Sequence, residues 1–200
     1  MSDKKDKLPK YNIMTLGNTA VGKTTFIIRY TENTFKASYL TTLGIDYKTK
    51  LITLENNKSY NINFFDTAGQ EKYRSLAINV IKNAHGVILM YDVTDEKSFE
   101  AISKWMKDVI DIKGQNFPII LVGNKIDLVD KRKVSPEQGK SEADKYGIKS
   151  YEISNKFGTN IEEACLDLIN QVIRQNSHKG GGVKINKKNN KNAEKKDCGC

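Results

Sequence analysis

One eight-residue stretch, Gly17–Thr24, constrains the fold of this chain more than any other. Its sequence, GNTAVGKT, has the form G-x-x-x-x-G-K-[ST]. The apolar run Tyr11–Leu16 that precedes it predicts a strand, and the segment Thr25–Tyr30 that follows it predicts a helix. A glycine loop between a strand and a helix can bind phosphate through backbone N–H groups and the helix N-terminus.

The residue types in this loop show how it would bind a nucleotide. Gly17 and Gly22 allow the backbone to turn with its N–H groups pointing at phosphate oxygens. Lys23 can reach the β- and γ-phosphates, and the hydroxyl of Thr24 can ligate Mg²⁺. An ordinary turn with two glycines is the alternative, and it would not need the Gly-Lys-Thr ending. The loop predicts a nucleotide without saying which one.

The rest of the chain alternates predicted strands with predicted helices. Continuous apolar runs at Gly86–Tyr91 and Pro118–Gly123 are typical of strands buried on both faces. Two more strands, Gly44–Leu54 and Tyr60–Phe65, are expected to join at a hairpin turn formed by Asn56 and Asn57. Helices are predicted at Ser98–Ile112, at Ser135–Tyr146 and after the capping sequence Thr159–Glu162. The last strand is predicted at Ser150–Ile153. We therefore expect an α/β fold with a mostly parallel sheet and helices on both sides.

The segment Asp66–Glu71, with sequence DTAGQE, directly follows a predicted strand. Ligands of such sheets bind beyond the carboxyl ends of the strands. Asp66 is expected to hold Mg²⁺ through water, Gly69 to offer its N–H to a γ-phosphate, and Gln70 to orient a hydrolytic water. A solvated turn is the alternative, and the distance of this segment from the phosphate loop argues against it.

The segment Asn124–Asp127, with sequence NKID, follows the second buried strand. The carboxylate of Asp127 can accept hydrogen bonds from the N1–H and the exocyclic amine of guanine. Adenine lacks this pair of donors, so a buried carboxylate there would discriminate strongly against it. The segment therefore predicts a guanine nucleotide.

Taken together, these motifs resemble the Ras superfamily of small GTPases, and within it the Rab family. The resemblance covers residues 10–176 and the final Cys-Gly-Cys. It rests on the segments Gly17–Thr24, Thr42–Tyr47, Asp66–Glu71, Asn124–Asp127 and Ser154–Lys156. It implies the three-layer P-loop NTPase fold of small G proteins, with a six-stranded, mostly parallel sheet and one antiparallel edge strand.

The resemblance also implies roles for individual residues. Thr42 would bind Mg²⁺ only when a γ-phosphate is present, and Phe35 would stack edge-on against guanine. Lys125 and Lys156 would flank the base, and the backbone and hydroxyl of Ser154–Lys156 would support its O6 atom and the Asp127 carboxylate. The expected catalytic residues are Gln70, Lys23 and Thr42, and the expected metal ligands are Thr24, Thr42 and Asp66. The expected nucleotide contacts are Gly17, Asn18, Thr19, Ala20, Val21, Gly22, Lys23, Thr24, Thr25, Phe35, Tyr39, Thr42, Gly69, Asn124, Lys125, Asp127, Ser154, Asn155 and Lys156.

A protein of this family is expected to be a membrane-attached molecular switch that regulates vesicle trafficking and hydrolyses GTP to GDP and phosphate. GTP and Mg²⁺ would order two loops, 35–43 and 67–79, and hydrolysis would release them. No arginine is obviously placed to complete the site, so an activating protein is expected to supply one. The family implies an exchange factor, effectors and a GDP-dissociation inhibitor as further partners, and a monomeric chain.

Several positions depart from the usual Rab pattern. The loop has Thr19 and Ala20 where Ser-Gly is commoner, which could alter the intrinsic rate of hydrolysis. Phe65 stands where Rab proteins usually have Trp, and Val80 begins a run that replaces Tyr-Tyr-Arg-Gly. Together with Tyr47, Phe65 and Val80 occupy the positions of the family's aromatic triad, which effectors recognise. Partner identity is therefore not implied. The usual Ala is also replaced by Asn155, whose backbone alone is needed, so guanine binding is expected to survive.

Other interpretations are weaker because each lacks a residue that it needs. A non-catalytic guanine-nucleotide-dependent binding module would be expected to have lost Lys23, Asp66 or Gln70. An ATPase is disfavoured by Asp127. A small GTPase of another branch would be expected to end in C-a-a-X, to have glycine in place of Ser2, or to lack terminal cysteines. A nucleic-acid binder is suggested only by the basic tail, which has no aromatic residues to stack on bases.

The chain divides into residues 1–10, a flexible lead-in; residues 11–176, the GTP-binding domain; and residues 177–200, a disordered basic tail. The tail has seven lysines against two acidic residues, so it contributes +5 of the net charge of +9. Cys198 and Cys200 resemble the Rab signal for two geranylgeranyl groups, which would give stable attachment to a membrane. No signal peptide or membrane span is found, so we expect the protein at the cytoplasmic face of an intracellular membrane with a cytosolic pool. The third cysteine, Cys165, is expected to be a buried small hydrophobe.

Overall fold

The computed structural model describes residues 8–35, 45–54, 57–67 and 74–179. Six strands form one sheet in the order β2-β3-β1-β4-β5-β6. The strands are β1 (Lys10–Leu16), β2 (Ile45–Thr53), β3 (Ser59–Thr67), β4 (Gly86–Asp92), β5 (Ile119–Asn124) and β6 (Lys149–Ile153). The helices are α1 (Lys23–Glu32), α2 (Arg74–Asn83), α3 (Glu96–Glu100), α4 (Ile102–Lys113), α5 (Pro136–Asp144) and α6 (Ile161–Lys179), with a 3₁₀ turn at Val129–Lys131.

Strand pairing in the described sheet is parallel except at one edge. β1 pairs with β3 on one side and with β4 on the other, β4 pairs with β5, and β5 pairs with β6, all in parallel. The edge strand β2 runs antiparallel to β3. This arrangement confirms the six-stranded, mostly parallel sheet with one antiparallel edge strand. The carboxyl ends of β1, β3, β4, β5 and β6 consequently meet at the same edge of the sheet.

Helices cover both faces of the sheet, as expected. On one face α1 and α6 pack against the sheet, with Ile13 of β1 and Phe26 of α1 in the same buried cluster. On the other face α2, α4 and α5 pack against Met14 of β1 and Leu89 of β4. The strands β4 and β5 are buried along their whole length because each has helices on both sides. Cys165 of α6 is buried as predicted, and burial raises the pKa of its thiol.

Element boundaries differ from the sequence prediction at three helices. The segment predicted as one helix from Ser98 consists of two helices, α3 and α4. The first starts earlier than predicted because the side chain of Asp95 caps it by accepting a hydrogen bond from the backbone N–H of Lys97. The capping box at Ser135 forms as predicted. The capping box at Thr159 does not start α6, which begins at Ile161. The helix α2 was not predicted from the sequence, and the predicted loop 67–79 is wrong over residues 74–79, which belong to this helix.

The predicted domain boundaries can be compared with the structure only in part. The last helix α6 extends to Lys179, past the predicted end of the domain at residue 176. The division into lead-in, domain and tail stays a prediction, since residues 1–7 and 180–200 lie outside the described ranges. Of the predicted turn at Asn56 and Asn57, only Asn57 is described; its φ is 56°, and its backbone N–H donates to the carbonyl oxygen of Leu54 at 2.9 Å. Among the described helices, none combines the length and the apolar character that crossing a bilayer requires.

Candidate functional site

The loop Gly17–Thr24 joins β1 to α1 and depends on its two glycines. Gly17 has a φ of 142° and Gly22 a φ of 103°, a range that side chains other than glycine rarely adopt. A Cβ atom on Gly17 would overlap the carbonyl oxygen of Met90, and one on Gly22 would overlap the side-chain amide of Asn124. Both positions therefore require glycine, because of their backbone conformation and because neighbouring atoms leave no room for a Cβ atom.

Lys23 lies at the first position of α1 and is 5% exposed. Its Nζ atom donates to the carbonyl oxygens of Gly17 at 2.9 Å and of Asn18 at 2.7 Å. Burial lowers the pKa of Lys23 to about 8, and the nearby carboxylate of Asp66 partly opposes that shift. The ammonium group is thus held across the loop by the loop's own carbonyl groups, close to where phosphate oxygens would be bound.

Thr24 and Asp66 come from different segments and meet beside this loop. The hydroxyl of Thr24 donates to Oδ2 of Asp66 at 2.6 Å. Asp66 is held in place by its neighbour Thr67, whose hydroxyl donates to the carbonyl oxygen of Thr15 at 2.8 Å. A hydroxyl and a carboxylate are hard oxygen donors, the type that Mg²⁺ prefers. The described part of the predicted metal site therefore fits Mg²⁺ in its chemistry.

The segments that follow β5 and β6 lie against the same loop. The side chain of Asn124 is 1% exposed and links three segments. Its Nδ2 atom donates to the carbonyl oxygen of Val21 at 2.8 Å, and its Oδ1 atom accepts from the backbone N–H of Asn155 at 3.2 Å. This bonding brings together the predicted phosphate loop and the two predicted base-binding segments.

Asp127 is positioned by Ser154. The hydroxyl of Ser154 donates to Oδ1 of Asp127 at 2.6 Å and accepts from the backbone N–H of Phe157 at 3.2 Å. With one carboxylate oxygen bonded to the protein, the carboxylate is held in a defined orientation. A carboxylate held in this way can accept a pair of donors on a guanine edge.

Lys125 has a partner that the sequence analysis missed. Its Nζ atom forms an ion pair with Oδ2 of Asp92 at 2.6 Å, and its backbone has a φ of 70°. Asp92 ends β4, and its Oδ1 atom accepts from both the backbone N–H and the hydroxyl of Thr94. A carboxylate at the carboxyl end of a buried strand was a signal that could have identified Asp92.

A second missed residue is Trp105 of α4. Its indole N–H donates to Oδ1 of Asn18 in the phosphate loop at 3.2 Å. In the sequence this tryptophan belongs to the apolar face of a helix and is indistinguishable from a core residue. It is indeed 7% exposed, and its polar edge alone reaches the loop.

The remaining predicted site residues are only partly covered by the described ranges. Thr19 and Ala20 are exposed in the phosphate loop, and Thr25 is half-buried in α1. Phe35 is 37% exposed, and Nζ of Lys156 lies 5.1 Å from the ring centroid of Phe157. The predicted residues that lie outside the described ranges are Tyr39, Thr42, Gly69, Gln70, Cys198 and Cys200.

Comparison with known proteins gives a consistent result. A model of the Ras family matches residues 12–174. The chain is 37% identical over 192 residues to Ras-related protein Rab-13 of Canis lupus familiaris, covering 92% of this chain and 94% of that protein. It is 39% identical over 163 residues to GTP-binding protein ypt2 of Schizosaccharomyces pombe, covering 82% and 81%. It is 38% identical over 167 residues to human Ras-related protein Rab-3A, covering 84% and 76%.

Proposed function

This chain belongs to the Ras family of small GTPases and is of the Rab type, and we propose that the bonded loops at the carboxyl edge of its sheet are its guanine-nucleotide site. As a Rab-type GTPase it hydrolyses GTP to GDP and phosphate and acts as a molecular switch in membrane trafficking. Family membership establishes the activity, and the residue roles that follow are our proposal.

The observation that carries this proposal is the hydrogen bond from Asn124 Nδ2 to the carbonyl oxygen of Val21. It joins the segment that follows β5 to the phosphate loop, so a single ligand with a base and phosphates can contact both. Asp127, oriented by Ser154, accepts the N1–H and amine of guanine. The backbone N–H groups of Gly17–Thr24 and the N-terminus of α1 bind the phosphates. Lys23 supplies the positive charge.

The metal proposed for this site is Mg²⁺, with the Thr24 hydroxyl as a direct ligand and Asp66 holding the ion through water. When bound, Mg²⁺ neutralises negative charge on the β- and γ-phosphate oxygens. Thr24 and Asp66 support this assignment because their oxygen atoms lie 2.6 Å apart across two segments. Thr42, which lies outside the described ranges, is proposed as the ligand that binds only in the GTP state.

Hydrolysis is the attack of a water molecule on the γ-phosphate. We assign the orientation of that water to Gln70 and the contact of a backbone N–H with the γ-phosphate to Gly69, in agreement with the family pattern. Lys23 keeps the phosphates in place during the reaction, and an activating protein supplies an arginine. Loss of the γ-phosphate releases Thr42 and Gly69, and partners recognise that difference.

Regulators and effectors are partners of this chain as a member of its family. We assign to it an exchange factor, an activating protein and a GDP-dissociation inhibitor. Where Cys200 is the free carboxyl end, Cys198 and Cys200 would each receive a geranylgeranyl group. Two such chains suffice for stable membrane attachment, and the lysines of residues 177–200 would add attraction to an anionic leaflet. This would place the protein at the cytoplasmic face of an intracellular membrane.

The experiment that tests the site begins with the nucleotide carried by the purified protein. The protein is denatured, and the released nucleotide is identified by chromatography, with GDP or GTP expected. Asp127→Asn should then lower the affinity for GDP by about 100-fold or more, because the amide keeps only one acceptor oxygen and sets an NH₂ donor against a donor of guanine. The same variant should gain affinity for xanthosine diphosphate, whose base has a carbonyl group in place of the amine.

Asp130→Asn is the matched control, since it makes the same change of charge at an exposed position three residues along the chain. It should leave the affinity for GDP unchanged. An unchanged affinity in Asp127→Asn would remove that carboxylate from the base site. Release of an adenine nucleotide, or of none, would contradict the site assignment as a whole.

A further inference from the structure

The side chain of Asn155 makes a contact that the usual alanine at this position cannot make. Its Nδ2 atom donates to the carbonyl oxygen of Gly22 at 2.9 Å, between residues 133 positions apart in the chain. The residue is 4% exposed. Its backbone N–H is separately bonded to Oδ1 of Asn124 at 3.2 Å. Asn155 therefore contacts the phosphate loop directly and also through Asn124.

Two consecutive carbonyl groups of the phosphate loop are held by these two asparagines. Asn124 Nδ2 binds the oxygen of Val21, and Asn155 Nδ2 binds the oxygen of Gly22. In a planar trans peptide the C=O and N–H groups point in opposite directions. Fixing the oxygen of Val21 therefore orients the N–H of Gly22, and fixing the oxygen of Gly22 orients the N–H of Lys23.

The carbonyl oxygen of Gly22 has a second donor, the backbone N–H of Phe26 at 2.9 Å, which is the first hydrogen bond of α1. With this hydrogen bond alone, the Gly22–Lys23 peptide at the start of α1 could still tilt about the bond. The amide of Asn155 adds a constraint from a different direction and a different segment. The peptide that presents the Lys23 N–H is thus held from two sides.

Stability of the fold does not explain an asparagine at this position. Within the described residues, no donor reaches Oδ1 of Asn155, although that atom is buried. A buried acceptor without a donor costs free energy, and alanine would avoid that cost. The contact that distinguishes asparagine from alanine here is the one with the phosphate loop.

We propose that Asn155 is a positioning residue that holds the Gly22–Lys23 peptide of the phosphate loop and thereby slows release of phosphate-bearing guanine nucleotides. The inference rests on the proposed function, since it assumes that this loop binds the phosphates. The backbone N–H of Asn155 is bonded to Asn124, whereas its side-chain amide contacts the loop that is proposed to bind the phosphates. The side chain should therefore matter only for ligands that have phosphates.

The test compares GDP with guanosine in the full-length protein. In Asn155→Ala the dissociation of fluorescently labelled GDP should be about 5- to 10-fold faster, the effect expected for one lost hydrogen bond. The affinity for guanosine, measured by competition, should change by less than about twofold because guanosine has no phosphate. Asn155→Asp has the same size but offers an acceptor in place of the donor, so it should release GDP at least as fast as Asn155→Ala.

Asn160→Ala is the matched control. Asn160 lies in the same loop, and its side-chain amide also donates to a backbone carbonyl, that of Glu152, but it does not contact the phosphate loop. It should release GDP at the wild-type rate. Wild-type dissociation of GDP from Asn155→Ala or Asn155→Asp would overturn the inference, and so would equal losses for GDP and guanosine, which would indicate a general loosening of the loop. If the wild-type protein bound no guanine nucleotide, the proposed function would fail first and this inference with it.

Discussion

Two regions of this molecule are held together in opposite ways. The nucleotide end consists of Gly17–Thr24, Asn124–Asp127 and Ser154–Lys156, and its bonds run from side chains of one segment to the backbone of another. The outer sheet face consists of Tyr47 on β2 and Phe65 on β3, which pair in register and stack with ring centroids 5.8 Å apart. Tyr47 is 62% exposed, whereas Asn124 is 1% exposed.

The difference shows where this chain can vary. At the nucleotide end the amides of Asn124 and Asn155 each hold a backbone carbonyl of another segment, so a substitution at either position can displace that segment. On the outer sheet face Tyr47 and Phe65 contact each other across strands whose backbone bonding does not depend on them. Phe65, a departure from the usual Rab pattern, lies on that face, and such a change can alter a partner's contacts without disturbing the fold.

The largest expected effect comes from breaking the nucleotide end at Gly22. In Gly22→Ala the new Cβ atom would meet the side-chain amides of Asn124 and Asn155, and the φ of 103° would be strained. GDP affinity should fall by more than about 100-fold, because the loop must shift and its N–H groups lose their orientation. Equilibrium titration with labelled GDP measures this.

Gly114→Ala provides the control for that experiment. Gly114 also has a positive φ, of 83°, but a Cβ atom there would meet no atom within 4 Å. It should lower the free energy of unfolding by about 1 kcal/mol and leave GDP affinity intact. Similar GDP affinities for the two variants would contradict the prediction, because neither the strain at Gly22 nor its contacts with Asn124 and Asn155 would then matter to nucleotide binding.

A smaller effect is expected from pH, through Lys23. Its pKa of about 8 in the folded chain lies below the ordinary value of 10.5. Above pH 8 the ammonium group must regain its proton to bind phosphate, so GDP affinity should fall about tenfold between pH 7 and pH 9. Guanosine is the control ligand, and a parallel fall in its affinity would contradict the assignment to Lys23.

The same titration has the opposite sign for stability. Between pH 8 and pH 10.5 the unfolded chain binds more protons at Lys23 than the folded chain does. The free energy of unfolding of the nucleotide-free protein should therefore rise with pH across that window. Denaturant unfolding at several pH values measures the slope.

The next smaller effect concerns the orientation of Asp127. Ser154→Ala removes the hydroxyl that donates to its Oδ1 atom at 2.6 Å. The carboxylate then loses its fixed orientation, and GDP affinity should fall about fivefold. Ser150→Ala, at an exposed position of β6, is the matched control and should bind GDP normally. Equal affinities in the two variants would mean that Asp127 does not need Ser154.

The smallest effect on the nucleotide site is expected from the outer sheet face. Tyr47→Ala removes the stacked pair with Phe65, so the free energy of unfolding should fall by about 1 kcal/mol or less. GDP dissociation should stay at the wild-type rate. Leu51→Ala, also exposed on β2, is the control without a ring partner. A change in GDP dissociation in Tyr47→Ala would show that the two regions are coupled.

Sequence patterns predicted the parts of the site that are local in the chain. The loop Gly17–Thr24, the carboxylate of Asp66 and the segment Asn124–Asp127 each sit at the end of a strand that its own apolar run identifies. Local patterns were less reliable at α6. The chain at Thr159 bonds to the backbone of Ser154, so the predicted capping sequence does not begin the helix. A local bridge between Ser154 and Thr159 thus competes with the cap, and the capping pattern by itself does not show which of the two forms.

The sequence by itself determined the order of the six strands, the family and the residue types of the proposed nucleotide site, because periodicity and short motifs are properties of neighbouring residues. Only the tertiary structure decided that Asp92 pairs with Lys125, that Trp105 reaches Asn18, and that the side chain of Asn155 binds the phosphate loop. These contacts join segments of different strands and helices. These contacts form because the order of the parallel strands in the sheet brings their carboxyl ends together, however far apart the strands are along the chain.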